Sequence, residues 1–275
     1  EILIGLVGSE MCIRDRHRIP DEADCSRTEW RDPSQKRVCG QDVRRRRPHG
    51  GSDICRRRLK METTKVLTKE EIQAALEERH SPEKQKKLSE GRVTIAGLGG
   101  LGSNVAYALA RIGVGHLHLI DFDVVDITNL NRQQYFTEHI GMYKTDALKS
   151  LLQKINPYID IQTDCIKVTE ENLISLFENA GIICEAFDNP EAKAMLVNGI
   201  LEHFPEKKLV SASGMAGYGS SNTIRTRRLM KNFYLCGDQV TEPTYGNGLM
   251  APRVAICAAH EANMITRLLL GEEEI

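Results

Sequence analysis

The sequence feature that most constrains the fold is the stretch RVTIAGLGGLGSN at residues 92–104. Its apolar beginning, residues 93–96, predicts a buried parallel strand, and a helical pattern starts near residue 103. Between them stand the glycines Gly97, Gly99, Gly100 and Gly102. Glycine permits unusual backbone angles in the turn, and the missing Cβ lets main-chain N–H groups approach a phosphate at the helix N-terminus. The stretch therefore predicts a strand, a glycine turn and a helix that together bind an anion.

Strands and helices go on alternating as far as residue 212, a pattern that predicts a mostly parallel sheet with helices on both faces. The helix at 103–112 and the strand at 116–120 complete one strand–helix–strand unit with the first strand. Residues 213–229 combine a glycine-rich turn with a β-like stretch, and an apolar helix is predicted over 253–270. We therefore predict an α/β fold built on a Rossmann-like sheet, with a β-rich C-terminal extension.

The distribution of charge divides the chain near residue 60. Residues 1–60 have a net charge of +5 and include 13 arginines, whereas residues 61–275 have a net charge of −6. The arginine-rich part has no helical or strand period and resembles translated adapter sequence, so we predict that it is non-native or disordered. A basic arm for nucleic acid is the alternative. We predict an N-terminal helical segment over residues 61–91 and a nucleotide-binding domain over residues 92–275.

Hydropathy and cysteine spacing exclude several classes of protein. No apolar run approaches the roughly 20 residues of a membrane span, so we expect a cytoplasmic protein without a membrane partner. The eight cysteines include no CxxC pair, which predicts neither a zinc site nor a disulfide framework.

Four side chains after the glycine turn indicate which nucleotide is bound. Asp121 lies 19 residues past Gly102 at the end of the second predicted strand, where an acid binds ribose hydroxyls. A dinucleotide dehydrogenase would use the same parts, but ATP brings further phosphates and a metal ion. Arg132 and Lys144 can converge on those phosphates, and Asp188, at the end of the fourth predicted strand, could hold Mg²⁺. The sequence favours ATP, and an NAD-linked oxidoreductase is a distant alternative.

Three ordered motifs resemble adenylating enzymes of the ThiF and MoeB type, which are similar to ubiquitin-activating enzyme. They are GLGGLGSNVAYALARIGVGHLHLIDFDVVDITNLNRQ from residue 97, GMYKTDALK from residue 141 and EAFDNPEAK from residue 185. The resemblance is strong over residues 92–215 and extends over 65–275. A later stretch, SGMAGYGSSNTIRTRRLMKNFYLCGD, resembles the shorter ThiF-like branch associated with thiamine biosynthesis.

This resemblance implies that residues 92–275 are an ATP-binding adenylyltransferase domain. The implied substrate is the C-terminal glycine carboxylate of a ubiquitin-fold sulfur carrier of the ThiS type. The carboxylate attacks the α-phosphorus of ATP and gives an acyl-adenylate and pyrophosphate, so that positioning and charge neutralisation supply most of the catalysis. ATP and Mg²⁺ are the implied cofactors and a homodimer the implied assembly. No zinc is predicted, because the paired CxxC motifs of many relatives are absent.

The resemblance also implies a role for each motif residue. The glycines face the nucleotide, Asp121 faces its ribose, and Asp188 faces the Mg²⁺ with Asn189 beside it. In this family an arginine ahead of the first strand reaches the phosphates of the neighbouring subunit, and Arg79 is the candidate here. The implied contacts with the phosphate side of the nucleotide are Thr128, Asn129, Leu130, Asn131, Arg132, Gln133 and Lys144.

Several other functions stay open at this level. One is activation of a molybdopterin sulfur carrier, as by MoeB. Another is ATP-dependent cyclisation of a modified tRNA base, although the acidic body at 61–275 argues against a nucleic-acid partner. A non-catalytic module that binds nucleotide or carrier is disfavoured by the joint presence of Arg132, Lys144 and Asp188. Cys236 is the candidate for sulfur transfer because of its polar loop setting, and a structural thiol is the favoured interpretation of it.

Overall fold

The computed structural model describes residues 67–275, beginning with two helices ahead of the sheet. They are α1 (Lys69–His80) and α2 (Pro82–Glu90). Thr68 caps α1 through a capping box: its hydroxyl accepts the Glu71 N–H, and the Glu71 carboxylate accepts the Thr68 N–H. The prediction for residues 1–60 and the start of the predicted 61–91 segment lie outside the described residues.

The rest of the described chain alternates strands and helices. These elements are β1 (Arg92–Ala96), α3 (Gly100–Arg111), β2 (His116–Ile120), α4 (Lys144–Ile155), β3 (Asp160–Asp164), α5 (Glu170–Phe177), β4 (Ile182–Glu185), α6 (Pro190–His203), β5 (Lys208–Ala212), β6 (Arg225–Met230), β7 (Phe233–Gly237) and α7 (Ala251–Leu270). The seven strands form one sheet in the order β3-β2-β1-β4-β5-β7-β6. All pairs are parallel except β6 with β7. The predicted α/β, Rossmann-like class is confirmed.

Two apolar clusters cover the two faces of the sheet. Helices α3, α4 and α7 supply one cluster, whereas α5 and α6 supply the other. Both faces of the central strands are therefore buried, which explains their nearly continuous apolar sequences. The strand order reverses between β1 and β4, and open α/β sheets bind their ligands at the carboxyl ends of the strands at such a point.

The structure corrects the sequence prediction at two places. Helix α3 begins at Gly100 rather than near residue 103, so its first turn includes Gly100 and Gly102. Strand β7 was not predicted; it lies between β5 and β6, so the C-terminal extension joins the main sheet. Within residues 67–275, no helix is both long enough and apolar enough to cross a membrane.

Candidate functional site

The glycine turn brings the end of β1 against the first turn of α3. Gly97 has a φ of +91°, a backbone conformation that L side chains rarely adopt. A Cβ on Gly102 would lie 1.8 Å from the carbonyl oxygen of Gly97, so only glycine fits there. Gly99 is the N-cap of α3, and no side chain in the described part of the chain caps this helix. The amide groups of its first turn are therefore available to an anion.

Asp121 fixes this turn to the end of β2. Its Oδ2 accepts the Leu98 N–H at 2.7 Å, and its Oδ1 accepts the Asp123 N–H at 2.8 Å. Burial raises the pKa of this carboxyl, while the Lys144 charge and the two backbone hydrogen bonds oppose that rise. The carboxylate therefore shapes the backbone of the turn, and its contact with a ribose remains a prediction.

A short turn ahead of Arg132 is closed by its own side chains. The Asp126 carboxylate accepts both the N–H and the hydroxyl of Thr128, at 2.8 and 2.7 Å. The Asn129 side-chain oxygen accepts the Asp126 N–H at 3.1 Å. Leu130 packs against the core, and the Asn131 side chain donates to the Leu249 carbonyl at 3.0 Å.

Arg132 and Gln133 leave polar atoms unpaired beside the glycines. The Arg132 Cγ lies 3.4 Å from where a Cβ on Gly100 would stand, and one terminal nitrogen donates to the carbonyl of Thr128 at 3.1 Å. Within residues 67–275, the Arg132 Nε and the Gln133 Oε1 are buried without a hydrogen-bond partner. A buried polar atom without a partner costs roughly 1–3 kcal/mol, so these atoms fit a polar ligand bound at the first turn of α3.

Lys144 supplies positive charge that acts on the Asp121 carboxyl. It is the first residue of α4 and is buried, and its Nζ lies 2.7 Å from the Asp123 Oδ2. The Tyr135 hydroxyl donates to the Leu98 carbonyl at 2.8 Å and so helps to hold the glycine turn in place. The structure thus brings Arg132, Lys144 and Asp121 together around the glycine turn.

Asp188 follows β4 on the other side of the switch point. It is exposed, and within residues 67–275 it has no hydrogen bond or ion pair. Asn189 caps α6, since its side-chain oxygen accepts the Ala192 N–H at 2.8 Å. No group of three or more candidate ligands for a metal is found among the described residues. A single carboxylate fits Mg²⁺ only together with phosphate oxygens, which is a common arrangement for that ion.

Arg79 lies away from the glycine turn. It is exposed near the end of α1. The next helix, α2, contacts the turn before β2, because the Gln85 side chain donates to the Gly113 carbonyl at 3.3 Å. That turn is at the amino ends of the strands, opposite the glycines. The structure therefore does not bring Arg79 to the nucleotide position within one chain.

Sequence reasoning missed Glu185, which positions the segment leading to Asp188. This buried carboxylate accepts hydrogen bonds from the Lys193 ammonium, the Ser211 hydroxyl and the Phe187 N–H. The sequence does contain an indication of this role: a single acid stands inside the apolar run IICEAF, and a charge buried there needs hydrogen-bond partners.

Sequence reasoning also missed an ion pair beyond β5 and β7. Arg253, in the first turn of α7, is paired with Asp238 and donates to the carbonyls of Gly219 and Ser220 at 2.8 and 2.7 Å. Beside this pair is a cavity of about 480 Å³, which we name the arginine cavity. Its polar lining includes Thr223, Arg225, Arg227, Asp238, Thr241 and Arg253.

Cys236 is buried on β7 rather than exposed in a loop. Burial raises the pKa of its thiol, and the nearby Glu261 acts in the same direction. A thiol without thiolate character is a poor nucleophile, so the geometry agrees with the structural interpretation of this cysteine.

Comparison with known proteins gives a family match over most of the chain. A model of the ThiF family matches residues 71–275. An adenylyltransferase and sulfurtransferase MOCS3 from Culex quinquefasciatus is 35% identical over 132 residues, which are 48% of this chain and 30% of that protein. A molybdopterin-synthase adenylyltransferase from Haemophilus influenzae is 39% identical over 113 residues, which are 41% of this chain and 46% of that protein. The chain thus matches less than half the length of each of these relatives.

The fold is also similar to solved structures. The E. coli tRNA N6-threonylcarbamoyladenosine dehydratase TcdA in complex with ATP has a TM-score of 0.68 and 20% sequence identity, over 75% of this chain and 98% of that one. E. coli MccB with ATP has a TM-score of 0.54 and 23% identity, over 68% of this chain and 58% of that one. At these identities the likeness concerns the fold.

Proposed function

The chain belongs to the ThiF family, and from that premise we propose that it adenylates the C-terminal glycine of a ThiS-like, ubiquitin-fold sulfur carrier. One carboxylate oxygen of the glycine bonds to the α-phosphorus of ATP, the bond from that phosphorus to the bridging oxygen breaks, and pyrophosphate leaves. The product is the carrier acyl-adenylate. Relatives named as adenylyltransferases support the reaction class.

The observation that carries this proposal is the pair of unpartnered buried atoms at the first turn of α3. Arg132 Nε can donate and Gln133 Oε1 can accept, and both lie beside an uncapped helix N-terminus. A nucleotide offers both kinds of partner: phosphate oxygens that accept, and sugar hydroxyls or a base amine that donate. TcdA and MccB have a similar fold and are both seen in complex with ATP, which supports ATP as the ligand.

Charge neutralisation is the main task of the side chains in this proposal. A carboxylate must approach an anionic phosphate, so cations beside the phosphates lower the barrier. Arg132 and Lys144 supply two positive charges next to the glycine turn, and Asp121 holds the turn in shape. Mg²⁺, when bound by Asp188 and the nucleotide, would supply further positive charge at the phosphates.

A homodimer would complete the site. Arg79 lies towards the amino ends of the strands, whereas the glycine turn is at their carboxyl ends. It can therefore reach phosphates only in a second copy of the chain. The exposed apolar side chains between β2 and α4 support such an assembly; they are Phe122, Val124, Ile127, Phe136, Ile140, Met142 and Tyr143. Concentrated exposed apolar surface of this kind marks an interface.

Two other substrates deserve a test. The relative named as a molybdopterin-synthase adenylyltransferase favours a carrier of that pathway. The overall likeness to TcdA favours a tRNA base. Both would use the same nucleotide site, and the acidic body at 61–275 weighs against tRNA.

The proposed function is tested by carrier-dependent exchange of labelled pyrophosphate into ATP with the full chain. We expect exchange that requires the terminal Gly-Gly of the carrier, and its loss by at least about 100-fold in Asp188→Ala. Glu202→Ala is the matched control, because it removes an exposed carboxylate from the far end of α6. Normal exchange in Asp188→Ala would remove the metal role. Absence of exchange with any carrier, despite ATP binding, would reject carrier adenylation.

A further inference from the structure

The arginine cavity contains more positive charge than its own groups neutralise. The two terminal nitrogens of Arg253 are bound to Asp238, to two backbone carbonyls and to the Thr223 hydroxyl, whereas its Nε is buried without a partner among the described residues. The side chains of Arg225 and Arg227 have no hydrogen bond or ion pair among residues 67–275, and one terminal nitrogen of Arg227 is buried without a partner there. The lining of this cavity of about 480 Å³ therefore has three guanidinium groups and one carboxylate, an excess of two positive charges.

The position of the two free arginines follows from the strand that carries them. Arg225 and Arg227 alternate along β6, so their side chains leave the same face of this edge strand. Arg225 is opposite Gly237, at the carboxyl end of β7. The cavity therefore opens at the carboxyl ends of the parallel strands, where the glycine turn also lies. The first turn of α7 links the two sites: Arg253 lines the cavity, and Val254 lies 3.0 Å from where a Cβ on Gly100 would stand.

The loops around the cavity expose apolar and aromatic side chains. Tyr218 and Val240 are about four-fifths exposed, and Tyr245 is fully exposed. Val240 itself lines the cavity, and Tyr218 is next to the lining residue Gly219. Tyrosine and arginine are enriched at the positions that dominate protein–protein binding. A cationic pocket with such a border fits a protein partner that inserts an acidic side chain.

We propose that Arg225 and Arg227 bind a carboxylate side chain of the carrier protein and thereby set carrier specificity. This inference rests on the proposed function, and it assigns the cavity a role in recognition rather than in chemistry. Guanidinium groups bind carboxylates through paired, charge-assisted hydrogen bonds, so a single Asp or Glu can satisfy the unpartnered nitrogen. A run of RNA phosphates would require a longer track of cations than these two.

The test compares Arg227→Gln with Arg228→Gln. Arg228 is the matched control on the same strand, because its guanidinium is already bound to Glu273 and to the Lys231 carbonyl. In carrier-dependent pyrophosphate exchange we expect Arg227→Gln to raise the KM for the carrier roughly tenfold, with kcat and the KM for ATP unchanged. Arg228→Gln should change the carrier KM less than about twofold. An unchanged carrier KM in Arg227→Gln overturns the inference while the proposed function stands.

A double-mutant cycle identifies the partner group. Each Asp and Glu of the carrier is replaced in turn by its amide, and one replacement should raise KM in the wild type but have no further effect in Arg227→Gln. Independent effects at every position overturn the inference.

A binding measurement separates this inference from the reaction itself. The carrier, truncated before its Gly-Gly, is titrated calorimetrically into the wild type and into Arg227→Gln. Weaker binding by Arg227→Gln supports the cavity as its site even if no exchange is ever found. Equal binding overturns it, and so does an effect of Arg227→Gln confined to inorganic phosphate or to a tRNA transcript.

Discussion

Two regions at the same edge of the sheet hold their polar groups in different ways. At the glycine turn, the side chains of Asp121 and Tyr135 bind main-chain groups: the N–H groups of Leu98 and Asp123 and the Leu98 carbonyl. At the arginine cavity, the Arg253 guanidinium is paired with the Asp238 carboxylate and also donates to two carbonyls and to the Thr223 hydroxyl. The first region therefore depends on close main-chain contacts, whereas the second depends on a charged pair that joins α7 to two loops.

This difference predicts where substitutions cost most. The cavity network buries a complete ion pair, and removing one partner of such a pair leaves an uncompensated charge. The glycine turn depends on close backbone contacts, so added atoms are more harmful there than lost ones. Substitutions in the buried pair, in the glycine turn and at two buried carboxyl groups measure these differences.

Arg253→Ala should lower the free energy of unfolding by about 3–5 kcal/mol, because it removes the ion-pair partner of the nearly buried Asp238 carboxylate, which keeps only its hydrogen bonds from Val240 and Thr241. Chemical denaturation at constant pH measures the change. The control is Arg267→Ala on the same helix, whose Nε donates to the exposed Glu274 carbonyl and which should cost less than about 1 kcal/mol. Equal losses in the two variants would show that the buried network does not hold the loops to α7.

The same contrast explains what the sequence could predict. The β1–α3–β2 unit and the clustering of Asp121, Arg132 and Lys144 follow from glycine spacing and from the rule that carboxyl ends of parallel strands share an edge. These features belong to consecutive elements of the chain, and the structure brings Lys144 to Asp121 and Arg132 to Gly100.

The missed residues depend on contacts that no local pattern specifies. Glu185 is recognisable only once Lys193 and Ser211 are known to face it. Arg253 belongs to a helix whose apolar pattern predicts burial, but its partners come from loops on other strands. Strand β7 was missed because its five residues gain their regular structure from pairing with β5 and β6.

Gly102→Ala should lower the free energy of unfolding by about 1–3 kcal/mol, because its Cβ would lie 1.8 Å from the Gly97 carbonyl oxygen and the turn must shift. Thermal or chemical unfolding without nucleotide measures this. Gly99→Ala is the control, since its Cβ would meet nothing closer than 3.7 Å and its φ is −75°. If Gly102→Ala were as stable as Gly99→Ala, the turn would be more adaptable than its contacts indicate.

Two buried carboxyl groups, one on α7 and one at the glycine turn, should respond differently to pH. Glu261 on α7 is fully buried, and its Oε2 has no hydrogen-bond partner in the part of the chain that the structure describes. Burial raises its pKa well above the usual range, with Lys193 opposing and Glu185 adding to the rise. The folded chain therefore keeps this proton at pH values where the unfolded chain has lost it. The contribution of Glu261 to stability must then fall as pH rises above the unfolded value of about 4.3.

Glu261→Gln removes this titration while keeping the shape of the side chain. Between about pH 5 and about pH 7, the stability of the variant relative to wild type should increase, by no more than about 1.4 kcal/mol per pH unit, the limit for one proton. Denaturant unfolding at the two pH values measures the difference. Asp121→Asn is the contrasting variant: both Asp121 oxygens accept backbone N–H groups, so an amide that presents an NH₂ group to one of them should destabilise the turn at both pH values. If Glu261→Gln and the wild type changed in parallel with pH, Glu261 would be ionised in the folded chain, and α7 would pack over a charge rather than over a neutral acid.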